Sequence, residues 1–478
     1  MTATRSIDGS AFPHGTPRYP AGPRGGGGLL RCLCRRARAR PAHGVAPVLP
    51  ATRPAPPPAI PRDADRRITF GGVVAAASVL GLAAASLALP AEDRNGLWLP
   101  LHLALAGAAG TAVAAVLPFF SAAIAVARPM PPLVRVAGIG FIALGALAVS
   151  AGVVRGSTET AVTGGVIYLG GLVSIAVAAF APLRGSLAPR RRIIGAAYAV
   201  AIAEVAVGVG LATTMLAGYG PVVERWVLLK PAHAWLNVFG FLSVVIATSL
   251  MHLAPTVAGG RIRPRASAIV AISALLAGAP LVALAFALGS DPVARLGALV
   301  ELAGALALAI HGLAVQHDRA EWTTDPDWHR MAGWSLAAAP LWFLVAAGIA
   351  AGRVLSLGAS PAAWSLDLLA APLVLGWLVQ VLIGSWTHLV PAIGPGDQDR
   401  HASQRAILGR LATARVILLN TGIALLVAGG ASGVPTLTVV GAAGCLTAVI
   451  VALAVLAEAA FLTGRAPQAI PVARSGGG

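Results

Sequence analysis

Five histidines fall inside long apolar stretches: His102, His233, His252, His311 and His388. An ionisable side chain at membrane depth is costly, which makes each a functional candidate. Imidazole nitrogens ligate copper and serve as axial ligands of haem iron. His233 and His252 are 19 residues apart in one stretch, about 28 Å along a helix, so one imidazole lies near each end of that stretch. At 100° per residue, His233, Asn237, Thr248 and His252 share one polar arc on an otherwise apolar helix. Gln380, Gly384, Thr387 and His388 share a similar arc on a later one. This pattern predicts two cofactor sites, one from His102 and His233 near the outer face and one from His252 and His388 near the inner face, with His311 a further metal-ligating candidate. The competing reading is hydrogen bonding between helices. His14, His43, His317, His329 and His401 fall in a tail or in loops and read as solvated.

Buried acids form a second set. Glu204 sits in the middle of a stretch and Glu301 in the outer part of another; both are candidates for proton relay. Asp367 and Glu458 lie near stretch ends and read as interfacial. Cys445 reads as a small core residue. Cys32-Leu33-Cys34 has no partner Cys or His pair at zinc spacing.

The elements that position these residues follow from composition. The chain has 478 residues, of which 57% are hydrophobic and 11% charged. Soluble domains carry about 25% charged residues, so a soluble enzyme is excluded. Three cysteines also exclude a secreted disulfide scaffold. From residue 68 onward, apolar stretches of helix-spanning length recur. Spans are expected near 68–90, 97–127, 133–154, 160–183, 193–218, 231–258, 266–289, 293–315, 331–352, 364–393, 412–431 and 434–463. The expectation is an all-α polytopic membrane protein of about 12 transmembrane helices in the lipid bilayer. Residues 1–67 read as a disordered Arg/Pro/Gly-rich cytoplasmic tail, 68–463 as the membrane domain, and 464–478 as a C-terminal tail.

The net charge of +17 suggests a nucleic-acid partner only until it is located. Twelve arginines and three aspartates in residues 1–67 supply +9 of it, in a segment with no periodic apolar face. The chain has 34 arginines and one lysine, Lys230, a bias that points to a GC-rich bacterial genome. Arginines cluster after even-numbered spans: Arg128 and Arg135; Arg184 and Arg190 to Arg192; Arg261, Arg263 and Arg265; Arg319 and Arg330; Arg400, Arg405 and Arg410. By the positive-inside rule those loops and both termini are cytoplasmic, in a bacterial cell membrane.

An internal repeat accompanies this topology. Spans 2, 6 and 10 are the long ones, and they end near Pro118, Pro255 and Pro391, spaced 137 and 136 residues apart. The spacing predicts three four-helix units.

The stretch His233-Ala-Trp-Leu-Asn-Val-Phe-Gly-Phe, followed by Thr248, His252-Leu-Ala-Pro255 and Gly259-Gly-Arg261, resembles a helix of the haem-copper oxidase subunit I superfamily, nearest to its NnrS-type, oxidase-like members. The resemblance implies twelve spans in three arcs, with His102 in the place of a haem ligand and His233 in that of a copper ligand. It departs from the oxidases in having no histidine in span 7 and only His388 in span 10, so a binuclear oxygen-reducing centre is not expected. It implies haem b or copper as cofactor, with electron transfer or a response to nitrogen oxides or metal stress as function, and an extracytoplasmic copper or redox protein as partner. The alternative is a secondary transporter using the intramembrane acids, for which inverted repeats would be diagnostic.

The arginine asymmetry makes a direct prediction. A cysteine introduced as Arg191→Cys reacts with an impermeant maleimide in inside-out vesicles and is protected in sealed right-side-out ones. The reverse pattern would invert the topology.

Overall fold

The computed structural model describes residues 62–184, 189–263, 265–320, 328–394 and 396–461. Residues 1–61 of the expected 1–67 tail, with His14, His43, Cys32 and Cys34, and the expected tail 464–478 lie outside the described residues. Among those described, the secondary structure is helical and no strand occurs.

Twelve helices among the described residues are long and apolar enough to cross a membrane: α1 (Asp63–Ser86), α2 (Trp98–Ala125), α3 (Pro132–Val154), α4 (Thr158–Leu183), α5 (Arg192–Leu216), α6 (Trp226–Val257), α7 (Ala266–Leu288), α8 (Asp291–His317), α9 (His329–Leu357), α10 (Pro361–Ile393), α11 (Ala412–Ser432) and α12 (Pro435–Phe461). Helix is what such sequence must form in hydrocarbon, because it satisfies every backbone N–H and C=O within the segment. This is a multi-pass membrane protein. The end of the bundle where α2, α6 and α10 begin is called upper below, and the end where they finish lower.

Each four-helix unit contains a tight hairpin: α3 on α4, α7 on α8 and α11 on α12. Small residues set these contacts, as expected where apolar burial cannot drive association. A Cβ added at Gly145 would lie 2.8 Å from the Gly164 carbonyl oxygen, and one at Gly441 would lie 2.7 Å from that of Gly422. α4 meets α5, α8 meets α9, and α12 returns to α1, closing a ring. Inside it run α2, α6 and α10. Their apolar windows are 67%, 83% and 67% buried, against 33–50% for the other nine. Helices of the outer ring turn Leu133, Leu144, Val173 and Val439 outward.

The three inner helices share an irregularity that the sequence did not announce. Each contains a π-helical stretch: Leu103–Ala109 in α2, Leu236–Leu242 in α6 and Ala370–Val379 in α10. Their starts are 133 and 134 residues apart, close to the proline spacing. The three inner helices therefore repeat in the same direction. π turns are rare and concentrate at functional sites. The one in α6 also breaks the 100° phase between Asn237 and Thr248, so the expected single stripe from His233 to His252 does not continue across it.

α1 begins at Asp63, five residues before the expected start, and the difference is physical. Asp65 is 3% exposed and pairs with Arg135, which is 2% exposed in the first turns of α3. Arg135 also donates to Thr69 Oγ1 at 3.0 Å and to the Ala115 carbonyl of α2 at 3.0 Å. Residues read as a tail acid and a loop cation are a buried pair that ties α1, α2 and α3 together. Glu458 meets its expectation differently: it pairs with Arg410 beside the short helix Gln398–Gly409. Asp367 is exposed at the upper end of α10, and Cys445 is buried, its Sγ 3.8 Å from the Leu419 carbonyl oxygen.

Removing one partner of a buried ion pair costs about 3–5 kcal/mol, whereas replacing both by apolar residues is far milder. Arg135→Leu is therefore expected to lower the detergent-solubilised melting temperature sharply, and Asp65→Leu/Arg135→Leu to recover most of the loss.

Candidate functional site

His102 and His233 line one cavity. It has a volume of about 200 Å³ and lies at the upper end between α2, α3, α4, α5 and α6. Small side chains make the room: Ala106 on α2, Ala146 on α3, Gly165 on α4 and Ala212 on α5. Trp98, Lys230 and Trp364, from the first turns of α2, α6 and α10, line it near the top. The only lysine of the chain thus stands at this cavity.

Each imidazole is held by its own helix and one further contact. His102 lies one turn after Trp98, immediately before the π stretch of α2. The two rings stack, with centroids 4.6 Å apart and planes inclined by 16°. His233 places Nδ1 2.7 Å from the Gly208 carbonyl oxygen of α5. A carbonyl only accepts, so Nδ1 carries the proton and donates it. Nε2 is left with the lone pair, the arrangement of a ligating histidine oriented by a backbone carbonyl. Asn237, one turn below, donates from Nδ2 to the His233 carbonyl at 2.8 Å.

The approach of α5 to α6 requires glycine at the contact. A Cβ on Gly208 would lie 2.6 Å from Asn237 Oδ1. One turn below Gly208 on the same face of α5, Glu204 packs against Gly240 of α6, where a Cβ would collide with its carboxylate. Glu204 is 6% exposed. Glu301 of α8 is 1% exposed and packs against Gly278 of α7, where a Cβ would lie 2.6 Å from Oε2. The two carboxyls are within electrostatic reach of one another.

The other candidate histidines do not line this cavity. His252 and His388 are half-buried at the lower ends of α6 and α10. A second cavity of about 70 Å³ opens among α2, α6 and α10 at that end, lined by their neighbours Leu253 and Leu389 and not by the histidines. His311 is 3% exposed, with neither ring nitrogen hydrogen-bonded, and it does not line the cavity of His102 and His233. The expected third metal ligand is therefore not brought to the pair: His311 lies near the lower end of α8, whereas His102 and His233 lie at the upper ends of α2 and α6. Among the described residues, no three of His, Cys, Asp and Glu gather as a metal cage. The two imidazoles of the upper cavity are the residues that could hold a metal ion there.

Gly208 could not be picked out beforehand, because it is one of two glycines in a Gly-Val-Gly stretch and its role lies in a carbonyl. Lys230 carried a signal in being unique. No protein-family model matches the chain, and no curated protein is significantly similar to it.

Gly208 and Gly210 offer a matched test. Alanine is favoured over glycine within a helix by about 1 kcal/mol, and a Cβ at Gly210 meets nothing within 4 Å. Gly210→Ala is expected to leave thermal stability unchanged or raised, and Gly208→Ala to lower it.

Proposed function

We propose that the chain binds copper or haem b between His102 and His233 and serves membrane electron transfer or the handling of nitrogen oxides or metal stress. The observation that carries this reading is that two imidazoles from different helices line one cavity, one of them oriented by a backbone carbonyl. The donor set fits: imidazole suits copper and iron alike. The volume favours the smaller occupant. About 200 Å³ is below the roughly 300–1,000 Å³ of small-molecule pockets, so a metal ion with a small ligand enters as the cavity stands. A macrocycle requires the walls of α2 and α5 to move apart.

When bound, such a group supplies one-electron chemistry and an open position for a small ligand. The residues of the chain do the rest. Gly208 and Asn237 fix the His233 ring, Trp98 fixes that of His102, and the apolar walls limit water. With the arginine-rich loops in the cytoplasm of a bacterial cell, both termini are cytoplasmic and the cavity faces the outer side, where an extracytoplasmic copper or redox protein reaches it. The transporter reading draws on Glu204 and Glu301, but neither acid lines the upper or the lower cavity.

The test is metal content and the reduced-minus-oxidised optical spectrum of the purified protein. His233→Ala and His102→Ala are each expected to remove the bound metal, while His252→Ala and His388→Ala leave it in place. Metal retained in both outer-site variants, or absent from the wild-type protein after loading with copper and with haemin, would reject the proposal.

A further inference from the structure

We infer that Glu204 and Glu301 form a proton-holding carboxyl pair within the membrane, joined to the His233 site through Asn237. Both side chains are more than nine-tenths buried. Among the described residues, neither Glu204 oxygen has a hydrogen-bond partner, Glu301 meets only the backbone of Ala279 on α7, and neither carboxyl has an ion-pair partner. A buried carboxylate without an ion-pair partner is strongly disfavoured, whereas a neutral carboxylic acid at the same place is tolerated. Two carboxyls in electrostatic reach add mutual repulsion to that cost, so the pair retains protons.

The surroundings identify the occupant. α7, packed between the two helices' neighbours, contributes no ionisable side chain. On α5 the nearest titratable group is Tyr198, whose hydroxyl is hydrogen-bonded to Ser249 at 3.0 Å. On α8 the nearest charged groups are Asp291 and Arg295, at the exposed upper end, and His311, ten residues further down from Glu301, and on α6 the nearest is His233 itself. A hydrated or multiply coordinated cation needs about six oxygens. Here there are two carboxyls set against glycine backbone at Gly240 and Gly278, and neither lines the upper or the lower cavity. The proton is the cation that fits.

The route follows from helix register. On α6, His233, Asn237 and Gly240 are spaced by four and three residues and share one face. On α5, Glu204 and Gly208 are spaced by four and face it, Gly208 against His233 and Asn237, Glu204 against Gly240. Asn237 thus lies between the carboxyl and the imidazole, and its Oδ1 is buried without a partner, an acceptor available to a protonated Glu204. A proton on the pair can balance charge that arrives at His233 without crossing the apolar core. The proton site itself does not depend on the metal; its use in charge balance rests on the proposed function.

The experiment uses the full-length purified protein without added metal. Dicyclohexylcarbodiimide, which modifies protonated carboxyls in apolar surroundings, is expected to label Glu204 or Glu301 at neutral pH, read by peptide mass. Infrared spectra should carry a carbonyl band of a buried carboxylic acid that is reduced in Glu204→Gln and in Glu301→Gln and absent when both are replaced; Glu458→Gln leaves it unchanged. Exchange of that band in deuterated water should slow several-fold in Asn237→Leu. Absence of both adduct and band in the wild-type protein, or a band that persists in the double variant, overturns the pair. An unchanged exchange time in Asn237→Leu overturns the route. Both readouts need no bound metal, so failure of the metal proposal leaves them intact, and an intact metal signal does not rescue them.

Discussion

The close approach of α5 to α6 at Gly208 is the contact on which the site depends. It brings a backbone carbonyl to 2.7 Å from His233 Nδ1, which fixes both the ring and its tautomer. It seats the Asn237 amide where any larger residue than glycine would stand. It also aims Glu204, one turn below, at the glycine of α6 that makes space for it. Move α5 outward by the width of a methyl group and the imidazole, the amide and the carboxyl all lose their positions together.

The wider architecture answers a single constraint, that polar groups in hydrocarbon must find partners or a cavity inside the protein. The three most buried helices carry the buried polar side chains Thr111, Ser121, Ser243, Thr248, Gln380 and Thr387, and they carry the π stretches. The outer hairpins are built from glycine contacts and expose aliphatic side chains. Such an inner set of three repeated helices inside a closed ring of nine is how one four-helix unit, used three times, can make a polar interior without an exposed edge. The interior is not symmetric, however. The interval between α2 and α6 opens at the upper end into a cavity with two imidazoles, and the chain's one lysine stands there.

The twelve helices were legible because hydrophobic length alone determines a span, and their ends fall within a few residues of expectation. The early start of α1 is instructive. Asp65 and Arg135 look like ordinary boundary charges one at a time; only their 70-residue separation in sequence, closed in space, makes them a buried pair. That His102 and His233 share a cavity was legible from depth, since both lie just inside the same end. A pairing of His252 with His388 was expected on the same ground, but the cavity at that end is lined by the leucines beside them. Helical phase explains the difference. A 100° increment carries through regular helix and fails across a π stretch, and no residue pattern in Leu236–Leu242 distinguishes it from ordinary apolar helix. The Gly208 carbonyl was invisible for a simpler reason: a backbone acceptor has no side chain to read.

Electron paramagnetic resonance of the copper-loaded protein tests the central claim most directly. Two histidine nitrogens on one copper(II) ion give nitrogen hyperfine coupling from two imidazoles. The account predicts that pattern in the wild-type protein, one imidazole fewer or no bound copper in His102→Ala and in His233→Ala, and no change in His311→Ala. A copper signal without imidazole coupling, or one that is the same in His102→Ala/His233→Ala as in the wild type, would contradict it.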